Sequence, residues 1–157
     1  MILTPIISII VPCFNEVATI DLLLGAIHSQ TFPLSQLELI IADGGSGDGT
    51  LVVIEQFKAS HPGISIQVIS NPEKQIPAAL NRAILVARGQ YIVRLDAHSI
   101  PSRKYLQKCK EVLDSNEAAN VGGLWDIQPG SKTWIERFIP FAAKNPSIFR
   151  PKTICIT

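Results

Sequence analysis

The sequence predicts an α/β fold, a mostly parallel sheet with helices on both faces. Two observations carry that expectation: short β-branched or aliphatic runs alternate along the chain with segments of helical period, and each run closes in a loop rich in Gly, Pro, Asn or Asp. Parallel strands need a crossover helix between them, so strict alternation of strand and helix is the mark of such a sheet, and ligands gather at the carboxyl ends of its strands. A third observation is length: 157 residues can bury one sizeable core but not two domains of ordinary size.

Ile6 to Val11 form a nearly unbroken β-branched run, as suits a central strand covered on both faces. No basic region precedes it, and Pro12 interrupts it far short of the ~20 apolar residues that span a bilayer, so it reads as a buried strand rather than a signal or anchor. Beyond a loop at Pro12 to Glu16, Ile20, Leu23, Leu24 and Ile27 fall at i, i+3, i+4 and i+7, the stripe of an amphipathic helix that Phe32 and Pro33 end. Leu37 to Ala42 give a second buried strand. The loop Asp43 to Thr50 follows and ends in good N-cap types for a helix from Leu51 to Ser60.

Ile64, Ile66 and Val68 alternate with polar residues as a third strand, closed by Asn71-Pro72. Pro77 suits the first turn of a helix whose apolar residues are Leu80, Ile84 and Ala87 and whose stop is Gly89. Tyr91 to Leu95 are the fourth strand, and Pro101 is expected to open a helix lined by Tyr105, Leu106, Cys109, Val112 and Leu113. A short strand around Ala119 to Leu124 would follow. From Trp125 the pattern fades, and Phe141 to Thr157 read as a poorly specified tail.

The formal charge of +1 gives no reason to expect nucleic acid or an anionic membrane surface as a partner. Cys13, Cys109 and Cys155 are odd in number and lack metal-binding or disulfide spacing, so they read as buried thiols of a reducing, cytoplasmic compartment. Exposed apolar surface near Trp125, Trp134, Phe138 and Phe141 would favour a homo-oligomer, or would pack under the tail instead.

Three loops follow three of the strands and bring acidic or small polar residues to one edge of the sheet. In the first, Asn15 and Glu16 are placed to bond a base or ribose; the structural alternative is a turn and a helix N-terminus, where Glu suits the macrodipole. In the second, Asp43 precedes glycines that let backbone approach a ligand, and its carboxylate suits a uracil imide N–H or ribose hydroxyls; an ordinary turn capped by Asp48 or Thr50 is the alternative. In the third, Asp96-Ala97-His98 at a strand end puts a carboxylate and an imidazole on one side of the chain, where both can face a divalent cation bridging diphosphate oxygens.

Read together, V-P-C-F-N-E at Val11 to Glu16, A-D-G-G-S-G-D-G-T at Ala42 to Thr50 and R-L-D-A-H at Arg94 to His98 resemble the family 2 glycosyltransferases. They stand in the right order and at the right separations over roughly Ile6 to Gly123. The D-A-H form, with N-P-x-x-x-x-x-A-L-N before it at Asn71 to Asn81, is similar to the succinoglycan-biosynthesis type of exopolysaccharide transferase. The resemblance implies a Rossmann-like nucleotide-diphosphosugar transferase fold (GT-A), a donor such as a UDP-sugar, Mn²⁺ or Mg²⁺, and inversion at the anomeric carbon by direct displacement. Carried across, Pro12 and Glu16 line the nucleoside pocket, Asp43 faces the uracil, Asn81 lies near the diphosphate and Asp96 flanks the metal with His98.

Two departures stand out: relatives often carry a second Asp where Gly44 stands and an Asp where His98 stands, and imidazole suits Mn²⁺ better than Mg²⁺. The resemblance also implies a general base in a C-terminal acceptor half that this chain is expected to lack. Asp126 and Glu136 are the acidic residues after Glu117 and match no motif for that base. Residues 1–124 are thus expected to be a nucleotide-sugar-binding domain, with 125–157 the start of an acceptor half or a tail. A longer form would act at the inner face of the membrane on a saccharide or lipid-linked acceptor. The competing expectation is a non-catalytic nucleotide-sugar-binding remnant. A dinucleotide enzyme is disfavoured, because no G-x-G-x-x-G follows the first strand.

Overall fold

The computed structural model describes residues 4–115. The strand expected at Ala119 to Leu124, the apolar patch from Trp125 to Phe141, Asp126, Glu136, Cys155 and the boundary after residue 124 lie outside the described residues. The elements run β1 (Ile7–Cys13), α1 (Ile20–His28), a 3-10 turn (Leu34–Gln36), β2 (Leu37–Asp43), α2 (Thr50–Ser60), β3 (Ser65–Ser70), α3 (Ile76–Val86), β4 (Tyr91–Arg94) and α4 (Tyr105–Asp114). The four strands form one sheet in the order β3-β2-β1-β4, and every pairing is parallel.

That order has one reversal. The chain moves outward from β1 to β2 to β3, then returns across the sheet so that β4 lies on the other side of β1. Right-handed crossovers in opposite directions place their helices on opposite faces. Accordingly the main core holds Leu23, Leu24 and Ile27 of α1, Ile54 and Phe57 of α2 and Leu106 of α4 against Ile9, Val11, Leu39 and Ile41. A smaller cluster on the other face joins Ala83 of α3 to Ile10 and Ile40.

The expected stripe of α1 is buried in full. The stripe expected in α3 is corrected: Ala79 and Ala83 are its buried residues, while Ile84 is 46% exposed. Leu80 and Ala87 of the expected stripe do pack on this cluster, partly buried, so the correction falls on Ile84 alone, and the small Ala79 and Ala83 let α3 lie close on β1 and β2. The fourth helix is corrected too. Pro101 does not open it; α4 begins at Tyr105, whose N–H bonds the Ser102 carbonyl, and Val112 is exposed. No helix among the described residues is long and apolar enough to cross a membrane.

Pro12 lies inside β1, opposite Ala42 of β2, rather than in the loop after it. A proline cannot donate to a ladder and is tolerated where that side of the strand is unpaired. Here β4 leaves β1 after the Ile10–Arg94 pair and a last bond from Leu95 N to the Ile10 carbonyl. Pro12 therefore sits where the two strands part, at the crevice where the strand order reverses.

At the opposite end of the sheet a buried carboxylate locks the crossover into β4. Glu38 Oε1 accepts from Ser8 Oγ and from the Arg88 N–H, both at 2.6 Å, and Oε2 accepts from Arg88 Nε and Nη2 at 3.0 and 2.8 Å. Burial pushes this carboxyl up, but the Ser8 hydroxyl and the Arg88 N–H and guanidinium outweigh it and hold Glu38 below its ordinary 4.5. A depressed carboxyl contributes stability that is present above its unfolded value and lost as pH falls through its folded one. Stability should therefore decline as pH drops below 4.5. Glu38→Gln should flatten that decline and cost ~1–3 kcal/mol at pH 7, as read by urea unfolding at each pH.

Candidate functional site

The loops after β1 and β2 are joined by hydrogen bonds from end to end. Gly44 N donates to the Cys13 carbonyl at 2.8 Å, Asn15 N to Ser46 Oγ at 2.8 Å, Gly47 N to Asn15 Oδ1 at 3.0 Å, Glu16 N to Thr50 Oγ1 at 2.9 Å and Val17 N to Asp48 Oδ2 at 3.1 Å. The geometry requires unusual backbone: Asn15 has φ +54°, a left-handed conformation that Asn tolerates, and Gly49 has φ +103° at the N-cap of α2. The N-cap of α2 is thus Gly49 rather than the expected Asp48 or Thr50; Asp48, one residue earlier, accepts from the Thr50 N–H and also holds the neighbouring loop.

Beside this double loop lies a cleft of about 210 Å³. Pro12, Cys13, Phe14 and Glu16 form one wall, Asn71, Lys74, Gln75 and Ile76 a second, and Arg94, Asp96, Ala97 and His98 a third. Of the residues expected from the sequence, Pro12, Glu16, Asp96 and His98 are brought together here. Asn15, Asp43 and Asn81 are not among the lining residues. Asn81 is exposed on α3. Asp43 is turned into its own loop: Oδ2 accepts from Gly45 N at 2.8 Å and Ser46 N at 3.0 Å, and Oδ1 from Ser46 Oγ at 2.6 Å. A carboxylate has about four acceptor sites, so its first task in this arrangement is to shape the glycine turn.

Along the third wall Val93, Leu95 and Ala97 are buried in the core while Arg94, Asp96 and His98 are more open. This alternation is the one expected of a strand, although the segment has already turned, with Ser99 N and Oγ donating to the Asp96 carbonyl. Asp96 Oδ1 accepts from Arg94 Nε at 3.2 Å and Nη2 at 2.9 Å. His98 Nδ1 lies 3.6 Å from Glu16 Oε1, and Glu16 Oε2 accepts from Thr19 Oγ1 at 2.6 Å. No group of three or more His, Cys, Asp or Glu among the described residues could hold a metal by itself. Asp96 and His98 both line the cleft and are donor types that a cation completed by substrate phosphates and water can use, His suiting Mn²⁺ better than Mg²⁺, although Asp96 Oδ1 is held here by Arg94 and His98 Nδ1 faces Glu16.

Several lining residues were not singled out in the sequence. Phe14 is 44% exposed at the cleft, and Lys74 Nζ stands 4.8 Å over its ring. Lys74 itself has φ +55°. Asn71 is buried, gives its amide N–H to the Gln75 carbonyl at 3.2 Å and leaves Oδ1 without a protein partner. The aromatic at position 14 could have been found, since it stands between two residues already chosen. Lys74 could not, because Lys ordinarily marks a solvated face, whereas Arg94 opens the R-L-D-A-H motif.

Gly44 packs against that aromatic. A Cβ there would lie 3.0 Å from Phe14 Cδ2. Cys13 is buried, and desolvation, with the charges of Asp43, Glu16 and Asp48 beside it, pushes its thiol up to about 12. Thiolate is the reactive form, so Cys13 should resist iodoacetamide at pH 8 in the folded chain and react on unfolding, as peptide mass spectrometry would show. Labelling of folded protein would contradict this burial.

The glycosyl transferase family 2 model matches residues 8–156. Glycosyltransferase AglE of Haloferax volcanii is 30% identical over 138 residues, 87% of this chain and 45% of that protein. The succinoglycan biosynthesis protein ExoA of Rhizobium meliloti is 33% identical over 105 residues, 66% of this chain and 31% of that protein. Among solved structures, the mannosyltransferase PcManGT of Pyrobaculum calidifontis, in complex with GDP-Man and Mn²⁺, aligns with TM-score 0.67 and 30% identity, covering 76% of this chain and 34% of its own. TarS of S. aureus bound to UDP aligns at 0.61 with 20% identity, over 77% of this chain and 38% of its own, a likeness of fold. The chain spans less than half the length of these relatives. The four-stranded parallel sheet with its helices is that of the Rossmann-like GT-A transferases, and this chain belongs to glycosyl transferase family 2.

Proposed function

We propose that the cleft holds the nucleoside diphosphate of a sugar donor together with Mn²⁺ or Mg²⁺, in a transferase that inverts the anomeric carbon during polysaccharide or cell-envelope glycan synthesis. The observation that carries this reading is the meeting of Glu16, Asp96 and His98 with the cations Lys74 and Arg94 in one cleft, at the point where the strand order reverses. Phe14 offers an exposed ring on which a base can stack, and Asn71 and Gln75 line the same end. Asp43 acts on the nucleoside chiefly through the glycine turn it shapes, and a UDP-sugar is the proposed donor.

Asp96 and His98 would hold the cation, which when bound neutralises charge developing on the leaving diphosphate. Lys74 and Arg94 supply fixed positive charge to the same group. The acceptor's proton must go to a base within hydrogen-bond reach of the attacking hydroxyl, expected in a C-terminal acceptor half. The protein acts at the cytoplasmic side, on a saccharide or lipid-linked acceptor.

Titration of the chain with UDP, GDP, TDP and CDP, each with Mn²⁺ and with excess chelator, tests this. Binding should be tightest for UDP and should weaken in chelator. Equal affinity with and without metal would remove the cation from the reading, and a preference for GDP would replace the base.

A further inference from the structure

We propose that Arg94 trades one anion for another: it neutralises Asp96 while the cleft is empty and passes to the donor's diphosphate when donor and cation arrive. The inference rests on the donor-binding reading above.

Both Arg94 bonds, Nε at 3.2 Å and Nη2 at 2.9 Å, fall on Oδ1 of Asp96. The two side chains are 20% and 28% exposed, so the pair is partly withdrawn from water and its attraction is less screened than at an open surface. Both residues are fixed to the cleft side, because Val93, Leu95 and Ala97 between and around them are buried in the core. A guanidinium bonded to that carboxylate and a divalent cation bound to it repel each other, so the cation must displace Arg94 or share the oxygen with it at a cost.

The diphosphate removes that cost. It presents several charged oxygens to a planar fork of donors that suits phosphate as well as carboxylate. Once Arg94 turns to phosphate, Asp96 is released to the cation. Metal and nucleotide binding therefore reinforce each other, and by linkage each tightens the other by the same factor. Metal alone binds weakly. The pair Arg94 and Asp96 is thus a coupling device that keeps the site from taking up a cation before its donor.

The test is a Mn²⁺ titration of the whole chain, with free Mn²⁺ read by its EPR signal, alone and with saturating UDP, in wild type, Arg94→Met and Arg94→Lys, with the Mn²⁺ taken up by the same UDP without protein measured and subtracted. In wild type UDP should tighten Mn²⁺ binding roughly 5- to 20-fold. Arg94→Met should bind Mn²⁺ more tightly than wild type when no nucleotide is present. It should bind UDP more weakly, and the mutual tightening should fall below that of wild type to the part owed to direct contact of cation and phosphate. Arg94→Lys keeps the charge without the fork and should fall between the two, with circular dichroism and unfolding midpoint as checks on the fold of each variant. Unchanged or weaker Mn²⁺ binding in folded Arg94→Met, with UDP and Mn²⁺ still bound by wild type, overturns the exchange alone. If wild type binds neither UDP nor Mn²⁺, the donor-site reading fails and the exchange fails with it.

Discussion

Gly89→Ala is expected to destabilise the chain by about 3 kcal/mol, with a corresponding fall in the urea midpoint. Gly89 closes the return from α3 into β4, and its N–H donates to Ser8 Oγ at 2.8 Å. A Cβ at this position would lie 2.5 Å from Ser8 N, 2.6 Å from Ser8 Oγ and 2.8 Å from the Ile7 carbonyl carbon. Two of those atoms are backbone of the central strand, and Ser8 Oγ is already held by Glu38 at 2.6 Å, so nothing nearby can give way cheaply. The opposite sign is expected in α1, where a Cβ on Gly25 meets nothing within 4 Å. Gly25→Ala should stabilise by ~0.5–1 kcal/mol through helix propensity and reduced unfolded-state entropy. Equal shifts for the two variants would show that close packing at Ser8 does not govern the β4 crossover.

Asp96→Asn should lower UDP affinity in Mn²⁺ by roughly 10- to 100-fold, ~1.4–3 kcal/mol, while affinity in chelator does not fall and, with Arg94 freed, rises. The substitution keeps the shape of the side chain and removes the charge that the cation needs. It also takes the charged partner from Arg94, whose two bonds fall on the same oxygen. The fold should tolerate the change, since the Asp96 side chain is 28% exposed and its turn is closed by the backbone carbonyl through Ser99. Isothermal titration in the two media measures the effect. Equal losses with and without metal would assign Asp96 to the nucleotide directly.

Where packing follows a simple period, the sequence was enough. Ile20, Leu23, Leu24 and Ile27 are spaced for one face of a helix and all four are buried; the runs at Ile7–Cys13 and Leu37–Asp43 are central strands with both faces covered. In the third helix that reasoning held for Leu80 and Ala87, which pack on the core, and failed at Ile84, because hydrophobicity and closeness of approach compete and Ala79 and Ala83 are the residues that reach the sheet. At Pro101 a residue suited to a helix start stands in a loop, since the Thr31 N–H and the Gln30 amide bond the Arg103 and Ser102 carbonyls and hold the segment against the end of α1.

The cleft was legible in part for a related reason. Glu16, Asp96 and His98 follow strands, and strand ends on one edge converge whatever the intervening chain does. Lys74 depends on a left-handed backbone in the loop after β3, and Arg94, although it opens the R-L-D-A-H motif, shows its forked contact with Asp96 only in the fold. Neither feature has a periodic or compositional signal. Asp43, for its part, looked like a ligand-facing carboxylate, and only the fold shows the glycine loop wrapped around it.

The most direct test of a nucleotide site in this cleft is a ¹⁵N-resolved NMR titration with UDP and Mg²⁺, the diamagnetic choice. Amide shifts should concentrate at Phe14 to Glu16, Asn71 to Ile76 and Asp96 to His98, the three walls of the cleft, and leave Leu51, Val52 and Glu55 on α2 unmoved. Shifts centred on the α2 surface, or none at saturating nucleotide, would contradict the account.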